Sequence, residues 1–135
     1  MSKVSVSIHF TNELDGVMQT KHSQVQIGQE EGQLVPYDMM LGALGACYYA
    51  TFIDIAKKMR LEYQRATIDI HGIKREEIPT TLKEVSMIFT IFGAAEEKGF
   101  ERASSLAAKY CSVHETISRV ADIKIELKFS PDAEG

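Results

Sequence analysis

The feature that most constrains this chain is the run Met39-Met40-Leu41-Gly42-Ala43-Leu44-Gly45-Ala46-Cys47, which carries no charged side chain. Pro36 just before it is favoured at a first helical position. Asp38 early, and Lys57, Lys58 and Arg60 late, suit the two ends of a helix dipole. One long helix is therefore expected over 37–60. Its first half is apolar all the way round, so it must be covered on every side. At about 1.5 Å per residue it would be about 36 Å long, close to the diameter of a domain of this size. One sheet from the same chain covers one side only, and a second copy of the chain is the simplest cover for the other. Gly42 and Gly45 each cost about 1 kcal/mol against alanine inside a helix, which predicts a compensating close approach of backbone.

Around this helix the chain reads as an α+β protein. Val4, Val6, Ile8 and Phe10 alternate with polar residues, as a half-buried strand does. Asp15-Gly16 is a hairpin signal, and a return strand is expected over 17–27. After a Gly- and Glu-rich loop and the long helix come strands around Ala66, Ile68 and Ile70, and around Val85, Met87, Phe89 and Ile91. The charged segment 74–79 between them reads as an exposed hairpin tip. A second helix is expected over 96–110, with Phe100, Ala103, Leu106, Ala107 and Tyr110 at core spacing. Ser112 and Glu115 match a capping box and predict a short helix directly after Cys111. Ile123, Ile125, Leu127 and Phe129 alternate as a last strand, and 130–135 is expected to fray.

The 135 residues suit one domain, 1–135, and 44% apolar with 25% charged residues is an ordinary globular mixture. A net charge of −4 without a basic stripe argues against nucleic acid as a partner. Met1-Ser2-Lys3 leads directly into the first strand without the pattern of a signal peptide. The longest apolar run, 39–50, is shorter than the roughly 20 residues that cross a bilayer. No membrane association is expected, and the cytoplasm is the expected location.

In that compartment the two cysteines, 64 positions apart, are not expected to form a permanent disulfide. Their spacing fits neither a zinc cluster nor a C-x-x-C motif, and no metal or cofactor is expected. Local context ranks them. Cys47, with Leu44, Ala50, Thr51 and Asp54 as helical neighbours, has no cation beside it and reads as an inert thiol. Cys111 precedes a helix N-terminus, near Lys109 and His114, and reads as the better thiolate.

Pro36-Tyr37-Asp38-Met39-Met40-Leu41-Gly42-Ala43-Leu44-Gly45-Ala46-Cys47 resembles the central-helix motif of the OsmC/Ohr family, and Lys109-Tyr110-Cys111-Ser112-Val113 resembles its second cysteine motif. The order of elements along nearly the whole chain agrees. The resemblance implies antiparallel sheets around two long central helices in an intertwined homodimer. It implies a thiol-dependent peroxidase acting on organic hydroperoxides or hydrogen peroxide and recharged by an external dithiol. By motif position Cys47 attacks and Cys111 resolves, the reverse of the local ranking. The family's peroxidases activate the thiolate with an arginine from the N-terminal strands and a glutamate after the helix-starting proline. Here Tyr37 follows the proline and no arginine precedes Arg60. The candidates left for that task are Tyr37, Asp38 and Lys21. A dimer that binds a small apolar ligand without catalysis, or a thiol sensor, are the alternative readings.

Overall fold

A computed structural model describes residues 2–131. Four of the six tail residues expected to fray, 132–135, lie outside the described residues. The chain divides into two compact units, 1–40 and 41–135, with one long helix running from the first into the second.

The first unit is a three-stranded antiparallel meander of β1 (Ser7–Phe10), β2 (Asp15–Gln19) and β3 (Gln24–Gly28). The return strand expected over 17–27 is thus two strands with a turn between them. Thr20 makes that turn: its hydroxyl accepts the N–H groups of His22 and Ser23 at 3.2 and 2.9 Å, and its own N–H donates to Ser23 O. Asp15-Gly16 is not the first hairpin's turn either. The turn is 11–14, closed by the Thr11 N–H on Asp15 O, and Gly16 pairs with Phe10 inside the ladder. A Cβ on Gly16 would stand 2.5 Å from the Phe10 ring, so glycine here makes room for an aromatic side chain across the strand. The expected half-buried face of the first strand is open: Val4, Val6, Ile8 and Phe10 are 94%, 57%, 43% and 50% exposed.

The helix, α1 (Pro36–Lys58), starts where proline predicts. Asp38 completes its first turn by accepting the Val35 N–H on Oδ2 at 3.3 Å. At 23 residues, with an 18-residue stretch of mean hydropathy 1.4, it has the length and composition of a bilayer-crossing helix, longer than the apolar run alone suggests. Its Leu44, Tyr48, Phe52 and Ala56, four residues apart, are nevertheless sealed within protein at 0–2% exposure.

In the second unit that stripe packs on a sheet of β4 (Arg65–Lys74), β5 (Leu82–Phe92) and β6 (Asp122–Ser130), in that order. β4 and β5 form the expected antiparallel hairpin, with Ala66, Ile68 and Ile70 opposite Ile91, Phe89 and Met87. β5 and β6 run parallel, so this sheet is mixed rather than antiparallel throughout. A parallel pair needs a long crossover, supplied by α2 (Phe100–Tyr110) and α3 (Ser112–Ser118). α2 begins four residues later than expected, because Gly99 takes a left-handed φ of 91° that the helix cannot include. Phe52 of α1 meets Phe89 of β5 edge-on at 4.8 Å, and Phe100 of α2 meets Phe129 of β6 at 5.6 Å. Each such ring contributes about 1.5–3 kcal/mol on burial. At Gly45 the close neighbour is a side chain and not backbone, since a Cβ there would stand 2.9 Å from the Ile70 Cδ1 of β4. At Gly42 the same construction meets nothing within 4 Å.

Candidate active site

α2 ends at Tyr110, and the next residue leaves helical geometry: Cys111 has φ −76° and ψ 118°. It serves both flanking helices. Its N–H donates to Ala107 O at 2.9 Å, closing α2, and its carbonyl accepts the Glu115 N–H at 3.0 Å, opening α3. Its Sγ accepts the His114 N–H at 3.4 Å, the bond an N-cap side chain makes. The cap expected of Ser112 therefore belongs to Cys111, and Ser112 is the first residue of α3. The corner is sealed, with Cys111 at 0% exposure.

The start of α3 faces the middle of α1. Cys47, half-buried, has its Sγ 3.9 Å from the Ser112 hydroxyl. The Cys111 thiol and the N–H groups of Val113 and Ser112 also act on it electrostatically. Thr51, one turn on, donates its hydroxyl to Cys47 O at 3.0 Å. Two cysteines 64 positions apart are thus neighbours, joined by the turn that carries the second.

This arrangement decides their acidity. Foremost the Val113 N–H, then the Cys111 and Ser112 side chains and the Ser112 N–H, hold the Cys47 thiol below its ordinary range against an opposing effect of burial. Burial pushes Cys111 up; the His114 N–H partly offsets this, while the neighbouring Cys47 adds to it. These directions run opposite to the local ranking, in which Cys111 was the acidic thiol and Cys47 the inert one. The α3 amides are aimed at a residue of another helix, and the cysteine next to them in sequence is the more desolvated one. Lys109, counted as a possible support for Cys111, has its Nζ over the Tyr110 ring, 5.4 Å from the centroid.

Beside the pair, Tyr48 donates to or accepts from Ser104 Oγ at 2.6 Å and donates to Ser104 O at 3.2 Å, clasping α1 to α2. Burial pushes its phenol up to about 12. The other candidate residues lie in the first unit. Lys21 is exposed in the 20–23 turn, Tyr37 is half-buried in the first turn of α1, and Asp38 is engaged by Val35. Ser112, expected as a helix cap, and the Val113 amide were not among the expected site groups. The signal was there, a helix starting after Cys111, but its destination was not.

A concavity of about 510 Å³ is lined by the β4–β5 tip (Ile73, Lys74, Arg75, Glu76, Glu77, Lys83 and Glu84) and by neither cysteine. Among the described residues no three His, Cys, Asp or Glu side chains gather to hold a metal ion.

A family model described as OsmC-like protein matches residues 28–126, spanning both cysteines. No curated protein sequence matches the chain. Among solved structures, a hypothetical protein from Aquifex aeolicus superposes with a TM-score of 0.87 at 28% identity, over 96% of this chain and 98% of that one. An OsmC-like protein from Mycoplasma pneumoniae gives 0.80 at 16% identity, over 97% and 98%. The organic hydroperoxide resistance protein OhrB of Bacillus subtilis gives 0.67 at 14% identity, over 94% and 98%.

Proposed function

Because the chain belongs to the OsmC-like protein family, we propose that it is a thiol peroxidase reducing organic hydroperoxides or hydrogen peroxide, with Cys47 attacking and Cys111 resolving. The observation that carries this reading is the contact at 3.9 Å between Cys47 Sγ and Ser112, the residue next to Cys111, and the surroundings of the two sulfurs, which lower Cys47 and raise Cys111, support it. A nucleophile must be ionised, whereas a resolving thiol must stay protonated and close until the first step is over.

In the first step the Cys47 thiolate attacks the distal oxygen of the peroxide. The O–O bond breaks, the alkoxide or hydroxide takes up a proton, and Cys47 is left as a sulfenic acid. Cys111 then attacks that sulfur, a disulfide forms and water leaves. An external dithiol returns both residues to thiols by two exchanges. No cofactor enters this cycle. The name of the Bacillus subtilis relative supports hydroperoxides as the substrate class.

In this reading the α3 amides and Ser112 do most of the thiolate activation, with Lys21, Tyr37 and Asp38 as secondary candidates. Residues 1–135 act as one domain in the cytoplasm, and two copies pair as a homodimer. The exposed residues Met40, Gly42, Ala43, Ala46 and Ala50 of α1 support the pairing, as does the open apolar face of Val4, Val6, Ile8 and Phe10.

The test is peroxide consumption in excess dithiol, comparing cumene hydroperoxide with hydrogen peroxide. Many equivalents consumed per chain are expected with at least one of them. Consumption that stops at or below one equivalent with both would end the peroxidase reading.

A further inference from the structure

The Ser112 hydroxyl differs from the other groups around Cys47. The Val113 and Ser112 amides are fixed donors, held by the helix they begin. The hydroxyl rotates, and can accept from a thiol or donate to a thiolate. It stands 3.9 Å from Cys47 Sγ, within range for a hydrogen bond to sulfur. Its backbone is pinned, because Thr116 Oγ1 donates to Ser112 O at 2.9 Å and Cys111 caps the helix just before it. Ser112 is also exposed, so its hydroxyl gives up no core packing to serve the sulfur.

We propose that the Ser112 hydroxyl, beside the Cys111 thiol, is a side-chain donor that holds the Cys47 sulfur as a thiolate, which makes Ser112 a catalytic residue of this site. The catalytic part rests on the reading of Cys47 as the attacking thiol; the donor part does not. The charged groups nearby leave room for such a neutral donor. Cys111, the titratable group facing Cys47, is kept protonated by burial. On α3, Glu115 pairs with Arg119 at 2.9 Å, and burial lowers the His114 imidazole toward its neutral form. On α1, Tyr48 is a neutral phenol bound to Ser104, and on α2 Lys109 lies over Tyr110.

The experiment is iodoacetamide labelling of the full chain across pH, with Cys47 and Cys111 peptides quantified separately by mass spectrometry. Ser112→Ala should move the Cys47 profile upward by as much as about one pH unit, slowing its labelling near neutral pH roughly 3- to 10-fold. Ser112→Thr, which keeps the hydroxyl, should retain the parent profile. An Ala profile that superimposes on the parent overturns the proposal, and so does a Thr profile shifted as far as that of Ala. Peroxide turnover is measured on the same samples. A shifted Ala profile in a protein that never turns over peroxide would uphold the donor and sink the peroxidase reading, so the two fail separately.

Discussion

Cys47 and Cys111 differ in what surrounds the sulfur, and that difference sets their chemistry. Cys47 faces amide and hydroxyl donors from α3 and is held acidic, whereas Cys111 is sealed at 0% exposure and held protonated. Cys47→Ser should abolish peroxide consumption. Cys111→Ser should still consume about one equivalent and leave a sulfenic acid on Cys47, open to dimedone and to over-oxidation. Dimedone adducts on Cys111 alone, in the parent and in Cys47→Ser, would reverse the roles. Acidity gives a second expectation. The alkylation midpoint of Cys47 should lie below the free-thiol range near pH 8.5 and that of Cys111 above it, as read by peptide-resolved labelling from pH 5 to 10. A common midpoint would refute the assignment. Of this residue-scale picture the sequence shows which two cysteines to watch. It does not show which one the α3 amides reach, because that is set by a contact across 64 positions and not by local neighbours.

At the scale of elements, the clasp between α1 and α2 rests on Tyr48 and Ser104. The phenol is pushed up to about 12 from 10, so the folded state favours its neutral form. Its contribution to stability is full below pH 10 and is lost as pH rises through 12. Tyr48→Phe should flatten that alkaline loss, seen as the urea midpoint followed from pH 8 to 12. The same change should cost about 1 kcal/mol at neutral pH, since it leaves the Ser104 hydroxyl without its partner. An unchanged alkaline slope would place the titrating group elsewhere. Elements with strong periodicity, such as the strand from Ile123 to Phe129 and the helix with Phe100, Ala103 and Ala107 on its core face, were legible from spacing alone. The misplaced features were those fixed by one backbone conformation or one side-chain bond. They are the Thr20 turn that splits a strand, the left-handed Gly99 that delays α2, and a cysteine that takes the cap a serine was expected to hold.

At the scale of the whole molecule, one chain leaves α1 covered along a single stripe, and Met40, Gly42, Ala43, Ala46 and Ala50 face outward. The uniformly apolar run announced this, since no single sheet could satisfy it. Light scattering at micromolar concentration should give twice the 15.1 kDa chain mass, and Ala46→Glu, which sets a charge on that face, should shift it toward one chain mass. A parent protein that scatters as one chain would show that the face is tolerated bare. The crossover of the second sheet has a further bearing on how such a protein is made. The groups that sharpen Cys47 sit at 111–113, beyond the whole of α2, and reach it only when α3 docks on α1. A growing chain that has emerged only as far as α2 therefore carries Cys47 as an ordinary thiol, slow toward oxidants. If Cys47 is the attacking thiol, its reactivity is gained only with the last fifth of the chain, when the thiol that would reverse its oxidation is in place as well.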